Sequence, residues 1–368
     1  MNDTTDSESS LPASRAEFDE WRAPRSGSGN PTRMDNPVWT WLVRSKISAY
    51  EAVDRYGAGS AFENGPTWCF DRYGQSITLM PDGRKIHIGG EHEDYYDPDF
   101  HIYNDVVVVD ASGNVSIYGY PTEVFPPTDF HSATLVGTDI YVIGRLGYQQ
   151  ERLEKIDAIR ILDTMTYRFR SLPTSGDMPP WLHGHVAELD ADGKHICITG
   201  GTVHHDVALI LVENLDTWKL CLDTGVWTHV ARRQWQRWKF ACEEARCNAL
   251  WEIRQMLWNR SVGWMKEWEE SKLSLATELG PSAEPERIAE LYSPPVPHTP
   301  IKSRDEEFNV HRISVEGVTV RYIEDMTSIV MTIEGQLPDR TINTLIDDLC
   351  RKLSIVEGIN HAATKIDR

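Results

Sequence analysis

The feature that most constrains this chain is an internal repeat. A short apolar strand ending in glycine occurs three times, as Ile86-His87-Ile88-Gly89-Gly90, Tyr141-Val142-Ile143-Gly144 and Cys197-Ile198-Thr199-Gly200-Gly201, with Gly89, Gly144 and Gly200 55 and 56 residues apart. Each glycine is followed by a variable loop and a strand ending in aspartate (Val109-Asp110, Leu162-Asp163, Leu222-Asp223), then a turn and a last strand containing Val115, Phe169 or Trp227. Another strand precedes each glycine and turns through Met80-Pro81-Asp82-Gly83, Val136-Gly137-Thr138-Asp139 or Leu189-Asp190-Ala191-Asp192-Gly193. Four short strands per unit at this period fit the blade of a β-propeller. Their alternating apolar positions need facing sheets, so Ile143, Phe169, Trp181, Trp218 and Trp227 are expected to be buried.

These residues resemble the kelch repeat, in which a strand leads into a double glycine, a loop, a second strand with an aspartate turn and a tryptophan behind it. The resemblance covers residues 68–230 and is uneven, because Arg145 replaces the second glycine of the second repeat and only the third keeps the tryptophan. Phe130-His131-Ser132 and Gly184-His185 stand where kelch units often carry a histidine. The wording of residues 91–105 and 126–137 is also similar to an uncharacterised microbial kelch-type group, and that similarity implies no activity. Three repeats do not close a ring. The missing strands are expected from residues 65–70 and the C-terminal segment, or from a second chain.

The rest of the chain divides by composition. Residues 1–33, rich in Ser, Asp, Gly and Pro, read as a disordered tail. Residues 34–64 read as a short helical segment, from the start signal Asn36-Pro37, a capping Ser48 and a terminating Gly57. Propeller blades are expected over 65–230. In 231–280, Trp235, Trp238, Cys242, Ala245, Ala249, Ile253 and Leu257 recur at three- and four-residue steps, which predicts a Trp-rich helical segment docked on the propeller. Residues 281–307 read as a Pro-rich extended linker. Within 308–368, three alternating runs precede a helix with Ile342, Leu345, Ile346, Leu349 and Leu353 on one face, a βββα unit. It is expected to be a degenerate fourth blade or a small domain that packs on the propeller or a twin subunit. The predicted fold is therefore mainly β.

Charge and motifs narrow the function classes. Lys+Arg 37 against Asp+Glu 56 leaves a net charge of −19, which disfavours nucleic acid and anionic lipid as partners. No apolar run reaches the ~18–20 residues of a membrane helix, and the start of the chain has no signal-peptide pattern, so a cytoplasmic protein is expected. The six cysteines lack C-x-x-C spacing, which argues against a disulfide framework or structural zinc. The phosphate loop, the serine-hydrolase elbow, the zinc-protease helix and the helix-loop-helix calcium motif are absent as well.

One chemically dense segment remains. The loop at 91–101 carries Glu91, Glu93, Asp94, Asp97 and Asp99 with His92, His101, Tyr95 and Tyr96, and no Lys or Arg. So many like charges raise one another's pKa unless a cation intervenes. Repeat symmetry puts it on one face with the loops at 145–158 and 202–216, the latter holding His204, His205 and Asp206. The favoured function is a protein-binding or scaffold module that takes a basic peptide, with Tyr95, Tyr96 and Phe100 as anchors and Glu91, His204 and His205 as further contacts. The alternative is a metal-dependent enzyme. Glu93, Asp97 and His101 have the spacing E-x-x-x-D-x-x-x-H, which resembles the iron-binding triad of plant kelch proteins that redirect glucosinolate breakdown; carboxylates with backbone carbonyls would instead suit calcium or magnesium. A purely structural homo-oligomer is the third class.

Overall fold

The computed structural model describes residues 11–93, 98–205, 210–244, 246–302 and 309–366. It is mainly β, with several antiparallel sheets. Two compact units, 1–232 and 233–368, are described in turn. No helix of the described residues is long and apolar enough to cross a membrane.

In the first unit each repeat builds one antiparallel sheet, whose strands pair in chain order. The first sheet contains Ser76–Leu79, Lys85–Ile88, Asp105–Val109 and Val115–Gly119, with Thr32–Arg33 added at its edge. The second contains Ser132–Val136, Asp139–Ile143, Ile159–Asp163 and Phe169–Leu172. The third contains Val186–Leu189, His195–Thr199, Asp216–Cys221 and Val226–Arg232, with Ser175–Gly176 added in parallel at its edge. After the glycine, repeat one makes the hairpin Glu91–His92 with His101–Ile102, repeat three makes Thr202–His205 with Ile210–Glu213, and repeat two has only a 3-10 turn, Gln149–Glu151. The edge strand Ser132–Val136 lies beside both Ser76–Leu79 and Val186–Leu189, so the sheets follow one another in a row. No closed ring forms among the described residues.

Packing explains why the row stops. Ile86, Ile88, Val106 and Val108 of the first sheet share a core with Ile140, Val142, Leu162 and Phe169 of the second. The other face of the first sheet, with Val107 and Ile117, is covered by three helices, α1 (Arg15–Trp21), α2 (Pro37–Ser45) and α3 (Ala49–Arg55), ahead of a short α4 (Ala61–Asn64). At the far end, the third sheet buries Ile196, Ile198, Trp218, Leu220 and Trp227, while Cys197, Thr199, Lys219 and Cys221 on the opposite face are not buried. Ile143, Phe169 and Trp181 are buried as well.

The repeated glycine has a physical reason. Gly89 (φ +56) and Gly144 (φ +69) would each drive a Cβ into a backbone carbonyl of the next repeat, that of Thr128 or Leu182. The following residue donates its N–H to that same oxygen, Gly90 to Thr128 at 2.8 Å and Arg145 to Leu182 at 3.0 Å. Only glycine allows such an approach in this conformation. Gly200 adopts the same φ, +64, but no heavy atom lies within 4 Å of its Cβ position.

The N-terminal expectation is corrected over 11–33. Ser14 caps α1 through a reciprocal box with Glu17, and Phe18 is fully buried and stacks on Tyr56 at 4.1 Å. Average composition concealed one large apolar anchor beside a strong helix start.

The second unit is one six-stranded antiparallel sheet in the order His298–Ile301, Val310–Val315, Val318–Glu324, Ile329–Ile333, Gln236–Cys242 and His361–Ile366. The chain also forms α5 (Leu250–Ser261), α6 (Met265–Leu279) and α7 (Asp339–Glu357). Two further expectations are corrected here. The stretch 231–280 is not helical throughout, because Gln236–Cys242 is an interior strand that buries Trp238 and Phe240; its alternation also fits the three- and four-residue steps. Residues 281–302 are not an extended linker, since Pro285–Glu290 forms a 3-10 helix that buries Ile288, and His298–Ile301 is an edge strand. The βββα order is present, and of the two readings offered it is the separate domain, not a fourth blade. The apolar face of α7 joins Val315, Val320, Met331 and Ile333 in one core, so its own sheet covers it.

Candidate functional site

Where the loops of the first two repeats meet, two carboxyl groups lie side by side. Glu91 follows the double glycine and is fixed by a backbone bridge to Tyr73, with hydrogen bonds of 2.8 and 3.0 Å. Asp129 precedes the inner strand of the second sheet and is fully buried. Its Oδ1 accepts the Gly147 N–H at 2.7 Å, its Oδ2 is buried and accepts no N–H among the described residues, and its carboxyl meets that of Glu91. Burial, followed by the charge of Asp129, raises Glu91 to about 7. Burial also raises Asp129. As pH falls through about 7 the pair therefore takes up a shared proton.

Neighbouring arginines are committed elsewhere. Arg145 donates to Glu151 and to the Pro127 carbonyl, each at 2.8 Å, and lies over the Trp181 ring at 5.0 Å. Arg152 donates to the carbonyls of Leu146 and Gly147 at 3.1 and 3.4 Å. Both hold the second loop in shape. Below the site, Arg72 and Asp105 form a buried two-point ion pair at 2.6 and 3.0 Å, and the Trp68 indole N–H adds a third bond to Asp105 at 2.7 Å.

The acidic loop supplies part of its own neutralisation. Asp99 is 3.1 Å from His92, and both are buried. Burial by itself would lower His92, but Asp99 and the Cys69 thiol raise it to about 10, so the imidazole is charged at neutral pH. The sequence reading counted only Lys and Arg and missed this base. Phe100 is 48% exposed, enough to contact a ligand, and meets the Tyr148 ring edge-on at 5.9 Å. Tyr148 also accepts the Ile102 N–H at 3.0 Å, which ties the two loops together.

Of the other expected residues that are described, Glu93 acts on this pair only through its charge on Glu91. Glu93 is exposed, while His101 packs on the Tyr103 ring at 4.8 Å and is lowered to about 4 by burial and Arg72. Asp94, Tyr95, Tyr96, Asp97 and Asp206 lie outside the described residues. His204 is in a strand of the third repeat, its N–H bonded to the Trp181 carbonyl at 3.0 Å, and His205 ends that strand. Among the described residues, the group spaced to hold a metal is Asp190, Asp192 and His195, at the first turn of the third sheet. Lys219 already lies 2.6 Å from Asp190, and His195 2.7 Å from Asp192.

Two repeated histidines were visible in the sequence without their role. His131 Nε2 is 2.7 Å from Ser76 Oγ, and His185 Nε2 is 2.8 Å from Ser132 Oγ. Each pair links an inner strand to the residue that begins the next. Burial lowers His131 to about 3 and His185 to about 4, so both are neutral, and neither Nδ1 has a partner among the described residues. With no third group to orient the imidazole, these pairs act as fasteners and not as nucleophile and base.

No protein-family model and no curated protein matches the chain. Among solved structures, one titled "Structure of YjhT" aligns with a TM-score of 0.31 and 12% identity, over 45% of this chain and 52% of that one. The match spans about half of that structure, and at this level it carries no argument about fold or function.

Proposed function

We propose that the first unit is a binding module built from three kelch-type propeller blades in an open row, and that its Glu91–Asp129 pair receives a cationic group of a basic peptide. The observation that carries this reading is the buried Asp129 carboxyl, whose partners among the described residues are the Gly147 N–H and the carboxyl of Glu91, with no cation in direct contact. A desolvated carboxylate oxygen is costly unless a proton or a cation satisfies it. At rest the shared proton meets that need, and a lysine or arginine side chain would displace it. Phe100, half-exposed beside Tyr148, offers the apolar contact next to the charge.

Binding should then release a proton near neutral pH. Calorimetric titration of a lysine- and arginine-rich peptide, repeated in buffers of different ionisation enthalpy, reads that proton directly. Glu91→Gln should abolish the release, and Asp129→Asn should weaken binding by about tenfold or more. Absence of binding, or binding that both variants leave unchanged, rules the reading out. The iron alternative rests on the spacing of Glu93, Asp97 and His101, and metal analysis of anaerobically purified protein tests it separately.

A further inference from the structure

The carboxyl pair has aromatic residues on both sides. Tyr73 lies directly opposite Glu91 in a bridge closed by two hydrogen bonds, a pairing that sets the Cα atoms ~5.5 Å apart and sends both side chains to one face. It is 70% exposed, so its ring is open to a ligand. On the other side Glu91 faces Ile102. Side chains alternate along an extended chain, so Phe100, two residues before Ile102, emerges on that face as well. Tyr148 joins it there. Its ring meets Phe100 at 5.9 Å, its hydroxyl accepts the Ile102 N–H, and the N–H of the preceding Gly147 holds Asp129. The site thus has an acidic floor between two aromatic walls.

Such a site sorts basic groups from one another. An unmodified lysine ammonium carries three N–H donors, and those not taken by the carboxyls would lose water to ring faces, which accept only weakly. Each N-methyl group removes one donor and packs on a ring face, as in the aromatic cages that hold methylated ammonium groups. We infer that the peptide group this site prefers is a dimethylated lysine, whose single N–H goes to the Glu91–Asp129 pair and whose two methyl groups rest on Tyr73 and on Phe100 with Tyr148. The inference rests on the basic-peptide reading above and adds its specificity. A trimethylated lysine fills the walls but has no N–H for the floor, and an unmodified one does the reverse.

Titration of the full chain with basic peptides that differ only at one lysine, unmodified, dimethylated or trimethylated, tests it. The dimethylated peptide should bind about tenfold tighter than the unmodified one, with the trimethylated peptide between them. Tyr73→Ala and Phe100→Ala should each cut the dimethyl preference to about twofold or less, and Tyr73→Phe should keep it, because a ring face and not a hydroxyl is required. The preference is a ratio within each variant, so a general loss of active protein does not move it, and Tyr73→Ala carries the test if Phe100→Ala fails to fold. Equal affinity for the three peptides, or a preference that survives both alanine variants, overturns the inference and leaves the basic-peptide reading standing. If no peptide binds in any state, that reading fails and the inference falls with it.

Discussion

The second and third sheets have the same four strands in the same order, yet they occupy different environments. Ile140, Tyr141, Val142 and Ile143 are all buried, so the second sheet is covered on both faces, whereas in the third only alternate positions such as Ile196 and Ile198 are buried. The same contrast appears in the glycines. Gly144 receives the carbonyl of the repeat that follows it, and Gly200 faces open space. The motif is thus a device for accepting a neighbour, and its presence in a sequence does not guarantee that the neighbour exists.

The largest effect expected from this contrast is at the glycines. Gly144→Ala and Gly89→Ala should each cost about 3 kcal/mol or more, because a Cβ there collides with backbone that cannot move aside. Gly200→Ala should cost only the left-handed strain, about 1 kcal/mol. Urea unfolding of the three variants checks the order, and equal losses at all three would remove the distinction between junction and end.

Next in size is acid sensitivity. Burial holds His87, His101, His183 and His185 near 4 and His131 near 3. A histidine lowered in this way contributes stability above its unfolded value of ~6.5, and that stability is lost as pH falls toward the folded value. The first unit should therefore lose stability steeply between about pH 6.5 and 4. His131→Gln should flatten that slope, at a cost near neutral pH of about 1 kcal/mol for the altered bond to Ser76. Melting temperatures across this range provide the test.

Glu91 should show the opposite sign. Its value is raised to about 7, so the stability it contributes is present below its unfolded value and fades as pH rises through 7. Glu91→Gln should remove that decline and melt higher than wild type at pH 8. A variant that melts lower at pH 8 would mean that the ionised pair is already satisfied. The smallest effect is expected at the open end, where Lys219→Ala should leave the melting temperature nearly unchanged.

The repeat was legible because each of its strands is short, alternating and followed by a turn with obligatory residues. All five aromatic and aliphatic positions expected in its core are buried for that reason. Where the row ends was not legible, since the third repeat keeps the glycines of the others and differs mainly in the polar residues of one face. Trp238 and Cys242 misled because the positions that alternate along a strand also fall within helical steps. The candidate site was half visible. Glu91 stood out within its acidic run, but Asp129 is a lone carboxylate 38 residues away, brought beside it by the same junction that buries the glycines. His92 was hidden by its company, because its charge depends on Asp99 and Cys69 and not on its own residue type.

Native-state thiol labelling tests most directly whether the third sheet ends the row. Cys197 and Cys221 lie on its uncovered face, while Cys69 is 2% exposed in the first repeat. In dilute native protein, mass spectrometry should find Cys221 and, more slowly, Cys197 modified, and Cys69 modified only after unfolding. If Cys197 is as protected as Cys69 in that dilute sample, another part of the same chain covers the face, and the account of an open three-sheet row is wrong.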